Sequence, residues 1–112
     1  MTLPMTMDDV EFDKAAAAEL HALEAALSES DPDELDVELS SGVLTLTLAD
    51  DQKIVINSHR AAGQIWMAAF RTAWHFSPKR EGAKLSWATE KDELRSTLAR
   101  VLSEKLKRAV AI

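Results

Sequence analysis

The sequence predicts an α+β fold, specifically a two-layer α-β sandwich in which an antiparallel sheet of five or six strands carries both helices on one face. Stretches with helical spacing of apolar residues stand near the two ends of the chain, and five or six short β-favouring stretches lie between them. Neither helix separates two strands, so the helix–strand alternation of parallel sheets is absent. Because 112 residues can bury one core, we expect a single domain over residues 1–112.

The first helix is predicted over residues 8–27. Its apolar positions recur at steps of three or four, which places them on one helix face, and they are Phe12, Ala16, Leu20, Leu23 and Leu27. Pro32 ends this region, because proline cannot continue the hydrogen-bond ladder and disfavours helical geometry at the preceding Asp31.

Three strands in a meander are predicted next. Apolar residues alternate with acidic or polar residues over positions 35–40, which is typical of a half-buried strand. Turn signals at residues 41–42 and 50–51 separate this strand from two further apolar stretches, at residues 43–48 and 53–57.

Shorter β-favouring stretches follow. Residues 58–63 are interpreted as a loop, and residues 64–68 and 73–76 form two short runs rich in apolar and aromatic side chains. A break at residues 77–83 separates them from a weaker candidate strand at residues 84–88.

The second helix is predicted to close the fold. Thr89 followed by Asp92 resembles a capping box, which predicts a helix start at this point. The apolar residues that follow keep helical spacing, and they are Leu94, Leu98, Val101, Leu102 and Leu106.

Composition excludes several classes of function. The chain has no cysteine, which excludes disulfides, thiolate nucleophiles and thiolate-held metal clusters. Gly42, Gly63 and Gly82 stand in no phosphate-binding loop, and no serine lies in a nucleophile elbow, so no enzyme motif is present. No apolar run approaches the roughly 18 residues of a membrane span, and residues 1–9 resemble no targeting signal. We therefore expect a cytoplasmic protein that does not bind membranes.

Charge is distributed unevenly between the two halves of the chain. Residues 1–51 carry 14 Asp/Glu and one Lys, a net charge of −13, whereas residues 52–112 carry 12 Lys/Arg and five Asp/Glu, a net charge of +7. This asymmetry can steer a cation or a basic partner toward one side of the molecule, provided that folding keeps the acidic residues together. Nucleic acid is not expected as a partner of the acidic half. The alternative is that the acidic run is simply a solvated face.

Four short segments resemble the frataxin family. They are Gly42-Val43-Leu44-Thr45, Ile54-Val55-Ile56-Asn57, Gln64-Ile65-Trp66 and His75-Phe76, and the spacing from Asn57 to Trp66 with the Gln-Ile-Trp tripeptide is the most specific part. The resemblance covers nearly the whole chain. It implies the frataxin α-β sandwich, weak iron binding on an acidic ridge, and contact with the cysteine desulfurase and the scaffold protein of iron–sulfur cluster assembly.

The resemblance also implies which residues act. The acidic ridge of the family lies along the end of the first helix and the first strand, so the implied iron ligands are Glu24, Glu29, Asp31, Asp33, Glu34, Asp36 and Glu38. Unpartnered carboxylates supply hard oxygen ligands to Fe²⁺ or Fe³⁺, and a cation relieves their mutual repulsion. Such a site binds weakly and reversibly and also accepts other divalent cations. On the sheet, Asn57, Gln64 and Trp66 are the expected partner contacts.

Several alternatives stay open from the sequence. His21 lies opposite the apolar stripe of the first helix, where it is either an ordinary surface histidine or a nitrogen ligand near the ridge. The chain is expected to be a non-enzymatic iron donor or iron-dependent regulator of the desulfurase, with weak ferroxidase activity as the enzymatic alternative. A monomer is expected, and iron storage by iron-dependent oligomers is the third alternative. Trp74 and Trp87 are interpreted as packing residues.

Overall fold

A computed structural model describes residues 8–112, apart from the side chain of Glu81. Two helices flank six strands, and a single 3₁₀ turn at Arg60–Ala62 joins two of the strands. In chain order the elements are α1 (Asp9–Leu27), β1 (Leu35–Ser40), β2 (Val43–Leu48), β3 (Lys53–His59), β4 (Gln64–Ala69), β5 (Thr72–Glu81), β6 (Lys84–Ala88) and α2 (Leu94–Leu106).

The six strands form one antiparallel meander in the order β1-β2-β3-β4-β5-β6, so each strand pairs with its neighbour in the chain. The register places apolar residues opposite one another: Leu44 faces Ile56, and Ile56 in turn faces Met67. The predicted α+β class and antiparallel sheet are confirmed, with six strands.

One face of the sheet forms the core together with both helices. Alternate side chains of every strand point to this face, because side-chain direction alternates along a strand. The fully buried side chains form one cluster that includes Leu20 and Leu23 of α1, Ile54 and Ile65 of the sheet, and Leu98 of α2. Burying an aliphatic side chain of this size contributes about 1.5–3 kcal/mol. The opposite face, called the open face below, is not covered by either helix.

The first helix forms as its apolar spacing predicts. All five predicted apolar positions are buried, whereas His21 on the far side is exposed. Asp8 caps the helix, because its carboxylate accepts a hydrogen bond from the backbone N–H of Glu11 at 2.7 Å. Phe12 then packs edge-on against Trp87, with ring centroids 5.8 Å apart, which ties the start of α1 to β6.

The β1–β2 hairpin depends on one glycine. Ser41 and Gly42 both have positive φ, +51° and +76°, which matches the twist that a two-residue hairpin turn requires. A Cβ at position 42 would also lie 3.2 Å from Oγ of Ser58. Glycine meets both conditions without strain. The predicted turn is confirmed, and position 42 requires glycine both for its positive φ and for the lack of space for a Cβ.

Two predicted strand boundaries were wrong. The β3 strand continues to His59, so the connection to β4 is shorter than the predicted loop over residues 58–63. The β5 strand continues through residues 77–81, where a break was predicted. Pro78 fits there because the β4 ladder ends at the Ile65–Phe76 pair, so Pro78 needs a ladder partner on one side only.

The second helix begins later than predicted. Thr89 does accept hydrogen bonds, from the backbone N–H groups of Lys91 and Asp92, but these form a local turn before the helix. Glu93 is the actual cap: its two carboxylate oxygens accept from the backbone N–H groups of Arg95 and Ser96. A capping residue one turn closer to Leu94 therefore replaces the predicted one.

Candidate cation-binding and docking surfaces

The seven predicted iron ligands lie along one continuous stretch, residues 24–38, called the acidic segment here. Glu24 is in the last turns of α1, Glu29 to Glu34 lie in the connection to β1, and the remaining two lie on β1. Glu24 and Glu34 are half-buried, and the other five are exposed: Glu29, Asp31, Asp33, Asp36 and Glu38.

Local hydrogen bonds shape the connection before β1. One carboxylate oxygen of Asp31 accepts from the backbone N–H of Asp33 at 2.9 Å. The backbone carbonyl of Asp31 accepts from the N–H groups of Glu34 and Leu35, both at 2.9 Å. The chain therefore makes a single tight turn here, in which three acidic residues follow one another closely.

The predicted ligands are not gathered into one site. Among residues 8–112, no group of three or more histidine, aspartate and glutamate side chains lies close enough to hold one ion. On β1 the side chains of Asp36 and Glu38 point to the open face, opposite Thr47 and Thr45 of β2. Glu24 instead lies on α1, 3.8 Å from the ring of His21. The acidic segment is an extended, open surface of negative charge.

Basic residues of the second half pair with a different set of carboxylates. Four acidic side chains of the first half each meet one basic side chain, and the pairs are Asp13–Arg60, Glu19–Arg95, Glu34–Arg108 and Asp50–Lys105. Only one of these carboxylates, Glu34, belongs to the acidic segment. In the described part of the chain, the other members of the segment make no ion pair with lysine or arginine.

Within residues 8–112, Glu34 is the one predicted ligand that an arginine or lysine side chain contacts. Nε of Arg108 donates to Oε1 of Glu34 at 2.8 Å, and a second guanidinium nitrogen contacts the same oxygen. Arg108 lies just beyond the end of α2, in a tail whose Val110 packs against the core. The two residues are 74 positions apart, so no spacing pattern in the sequence indicates this pair.

Two of the paired carboxylates have altered acidity. The hydrogen bond from Arg60 lowers the pKa of Asp13 below its ordinary value of 3.8. The hydrogen bond from Lys105, followed by that from the backbone N–H of Gln52, lowers the pKa of Asp50 in the same direction. Both carboxylates are therefore held in the charged form by their partners.

The predicted partner contacts lie side by side on the open face. Asn57 of β3 is directly opposite Trp66 of β4, and Gln64 precedes Trp66 by two positions on the same strand and face. Following the register across the sheet, Ser40 of β1 lies in the same row as Trp66, three strands away. Since neighbouring strands are about 4.8 Å apart, β1 lies roughly 14 Å from β4 in this row, and Glu38 and Asp36 lie two and four positions further along β1.

Trp66 does not stand free on that face. Its indole is stacked between two imidazoles, with centroids 3.8 Å from His59 at an interplanar angle of 16° and 4.1 Å from His75 at 12°. These three side chains are called the ring stack below. The sequence did not predict it, because His59 was interpreted as a loop residue, whereas it is the last residue of β3.

Hydrogen bonds fix the plane of the indole. Nε1 of Trp66 donates to Oε1 of Gln64 at 2.9 Å, and Nε2 of Gln64 contacts Oγ of Ser77 on β5 at 3.2 Å. The relay therefore runs from β4 to β5 beside the ring stack. A tryptophan on an open sheet face normally has several rotamers, and this one is held on both faces and at its nitrogen.

The other two tryptophans are packing residues, as predicted. Trp87 is 1% exposed and lies in the core, and Trp74 is half-buried against it. No helix among residues 8–112 has both the length and the apolar character that a membrane crossing requires.

The chain and its fold have known relatives. A family model described as a frataxin-like domain matches residues 5–111. The chain belongs to the frataxin family. A relative from Dechloromonas aromatica named iron-sulfur cluster assembly protein CyaY is 38% identical over 109 residues, which is 95% of this chain and 99% of the relative. A relative of the same name from Thioalkalivibrio sulfidiphilus is 35% identical over 100 residues, covering 87% of this chain and 92% of its own length.

Solved frataxin structures share the architecture. A frataxin from Psychromonas ingrahamii superposes with a TM-score of 0.79 at 24% identity, covering 94% of this chain and 97% of the other, and it supports the fold alone. A trimeric frataxin from Saccharomyces cerevisiae crystallised in complex with ferrous iron superposes with a TM-score of 0.61 at 26% identity. That match covers 96% of this chain and 94% of the yeast chain.

Proposed function

We propose that this frataxin is a non-enzymatic, cytoplasmic accessory protein of iron–sulfur cluster assembly. Its single domain binds iron weakly through the acidic segment and docks on the cysteine desulfurase and its scaffold protein, as an iron donor or iron-dependent regulator. The observation that carries the proposal is the selective neutralisation of charge: basic side chains cover carboxylates elsewhere and leave most of the acidic segment unpaired. The names of the bacterial relatives supply the pathway.

The chemistry of the acidic segment suits weak and reversible binding. Its carboxylates offer hard oxygen atoms, which suit Fe²⁺, Fe³⁺ and other divalent ions, and no convergent cage selects among them. A bound cation reduces the repulsion between adjacent carboxylates such as Asp31 and Asp33. Occupancy therefore changes the charge that a basic partner surface meets, which couples iron to docking.

Docking uses the open face of the sheet, which also carries two carboxylates of the acidic segment. Asp36 and Glu38 point to the open face of the sheet, and Trp66 stands on that face three strands away. A partner with a basic strip beside an uncharged, apolar patch complements both features at once. Charged residues then guide encounter, and the tryptophan supplies the buried contact.

The test neutralises three carboxylates of the acidic segment that are exposed and unpaired: Asp33→Asn, Asp36→Asn and Glu38→Gln. We expect Fe²⁺ affinity, measured anaerobically by calorimetry, and desulfurase affinity each to fall by about tenfold. The matched control carries the same change in net charge at exposed positions elsewhere, Asp51→Asn, Glu90→Gln and Glu104→Gln. Equal losses in both triple variants would show that only net charge matters, and the proposal would fail.

Weak ferroxidase activity and iron storage are the competing functions. Carboxylate-bound ferrous iron that is open to oxygen can be oxidised, and the yeast relatives crystallised as trimers. Oxygen consumption above the buffer rate, lost in the acidic-segment variant, would support the first. Growth of particles in light scattering on addition of iron would support the second.

A further inference from the structure

The three rings of the ring stack come from three adjacent strands of the sheet, so the sheet itself holds them together. His75 faces Trp66 directly across β4 and β5, and His59 reaches the other face of the indole diagonally from β3. Three adjacent strands therefore contribute one ring each. Cross-strand aromatic pairs of this kind contribute to the stability of a sheet surface.

Ring packing, rather than hydrogen bonding, positions His59. Its Nδ1 atom is buried and has no hydrogen-bond partner within residues 8–112. A buried polar atom without a partner is unfavourable, so another interaction must hold the side chain in this place. Among residues 8–112, the aromatic contact of this imidazole is the 3.8 Å stack on the indole.

The side chains that border Trp66 on the open face, outside the ring stack itself, are uncharged. Asn57 lies in the same row as Trp66, Gln64 lies in the next row and contacts Ser77, and Ala68 with Ala73 forms the row on the other side. A tryptophan that is already ordered, in neutral surroundings, loses little rotamer entropy when its edge enters an apolar slot. Such residues are the usual anchors of protein interfaces.

We propose that His59 and His75 are positioning residues that hold Trp66 in its docking orientation for an uncharged, apolar slot of the desulfurase–scaffold complex. The proposal rests on the docking function proposed above, and it adds that the two imidazoles act as rings. Their nitrogen atoms and their charge are not needed. A planar apolar ring at either position should therefore replace the histidine.

The experiment compares two double variants with the wild-type chain. His59→Gln with His75→Gln removes both rings and keeps polar side chains of similar length, whereas His59→Phe with His75→Phe keeps a ring on each face of the indole. Ala18→Gln, at an exposed position of α1, is the control for a new surface glutamine away from the ring stack. Trp66→Ala measures how much affinity is lost when the whole indole is removed. Affinity for the desulfurase–scaffold complex is measured for all five proteins at one pH and salt concentration.

We expect the glutamine pair to weaken docking by about tenfold, close to the effect of Trp66→Ala, and the phenylalanine pair and Ala18→Gln to stay within about twofold of wild type. Wild-type affinity in the glutamine pair would overturn the proposal. Equal loss in the phenylalanine and glutamine pairs would also overturn it, because a nitrogen atom and not the ring would then be required.

A spectroscopic readout separates positioning from a general loss of structure. The Nε1–H resonance of Trp66, assigned from Trp66→Phe, should shift and exchange faster with water in the glutamine pair, while the Trp87 resonance from the core stays in place. Unchanged Trp66 exchange would contradict the proposal even if docking fell. If Trp66→Ala itself leaves docking unchanged, the docking face of the proposed function fails, which is a different result from failure of the two histidines alone.

Discussion

The carboxylates of this frataxin fall into two groups that the fold treats differently. In one group, Asp13, Glu19 and Asp50 are tied to basic side chains that come from distant parts of the chain. In the other, most members of the acidic segment have no such partner among the described residues. The first group holds elements together, and the second keeps its charge available to a cation or a partner. Under the proposed function, stability and iron binding therefore draw on different acidic residues of the same half of the chain.

The largest stability effect is expected from breaking the best-formed pair of the first group. Glu19 has only 11% of its side chain exposed, and Nε and Nη2 of Arg95 contact its two oxygens at 3.1 and 2.6 Å. Arg95→Gln leaves this nearly buried carboxylate without its charged partner and should lower the free energy of unfolding by about 1–3 kcal/mol.

Urea unfolding at neutral pH measures this change. The control is Arg71→Gln, an exposed arginine in the β4–β5 turn that makes no ion pair within residues 8–112, and its effect should stay within about 0.5 kcal/mol. If both variants unfold at the same urea concentration, the Glu19–Arg95 pair does not stabilise the contact between α1 and α2, and the paired group does not hold elements together.

A smaller effect of opposite sign is expected from the second group. Asp33, Asp36 and Glu38 repel one another and their acidic neighbours, so Asp33→Asn, Asp36→Asn and Glu38→Gln together should leave stability unchanged or raise it by up to about 0.5 kcal/mol at low salt. The gain should disappear at roughly 1 M salt, where charges are screened within ~3 Å. Destabilisation as large as that of Arg95→Gln would erase the distinction between the two groups.

The smallest effect concerns acid stability through Asp13. Its pKa lies below the ordinary 3.8 in the folded chain because Arg60 donates a hydrogen bond to it. The stabilisation is therefore fully present above pH 3.8 and is lost as the pH falls through the lowered pKa. Asp13→Asn should be slightly less stable than wild type at pH 6, and the difference should shrink as the pH falls below 3.8.

Thermal unfolding at several pH values follows this difference, with Asp51→Asn as the control at an exposed aspartate without an ion pair in the described chain. Both Asp13 and Arg60 are exposed, so the effect should be well below that of the Glu19–Arg95 pair. A difference between wild type and Asp13→Asn that grows as the pH falls would contradict the assigned direction.

Local patterns predicted the elements whose own residues are sufficient to specify them. The apolar spacing of α1 identified all five of its buried positions, and the turn residues Ser41 and Gly42 located the first hairpin. The prediction cut the β5 strand short by placing a break over residues 77–83, a stretch that contains Pro78, and proline disfavours strand interiors. The pairing of Pro78 with Trp87 on β6 overrides that preference.

The candidate site, like the fold, has some features that local sequence patterns determine and others that they do not. The sequence determined that Asn57, Gln64 and Trp66 share one face of a sheet, because side chains alternate along a strand and strand pairing preserves that alternation. It also determined the excess of negative charge near the end of α1. The number of carboxylates in the acidic segment is a property of composition, and folding does not alter it.

Only the tertiary structure decided which charges remain free and which rings meet. Arg108 reaches Glu34 and Arg95 reaches Glu19 across more than 70 positions. The ring stack needs three strands in one register, with β3 extended as far as His59. Contacts of this kind depend on how the core places the elements relative to one another, because side chains interact over only a few ångströms. Local sequence patterns fix which residues lie on each element's surface, and the core fixes which of those surfaces touch.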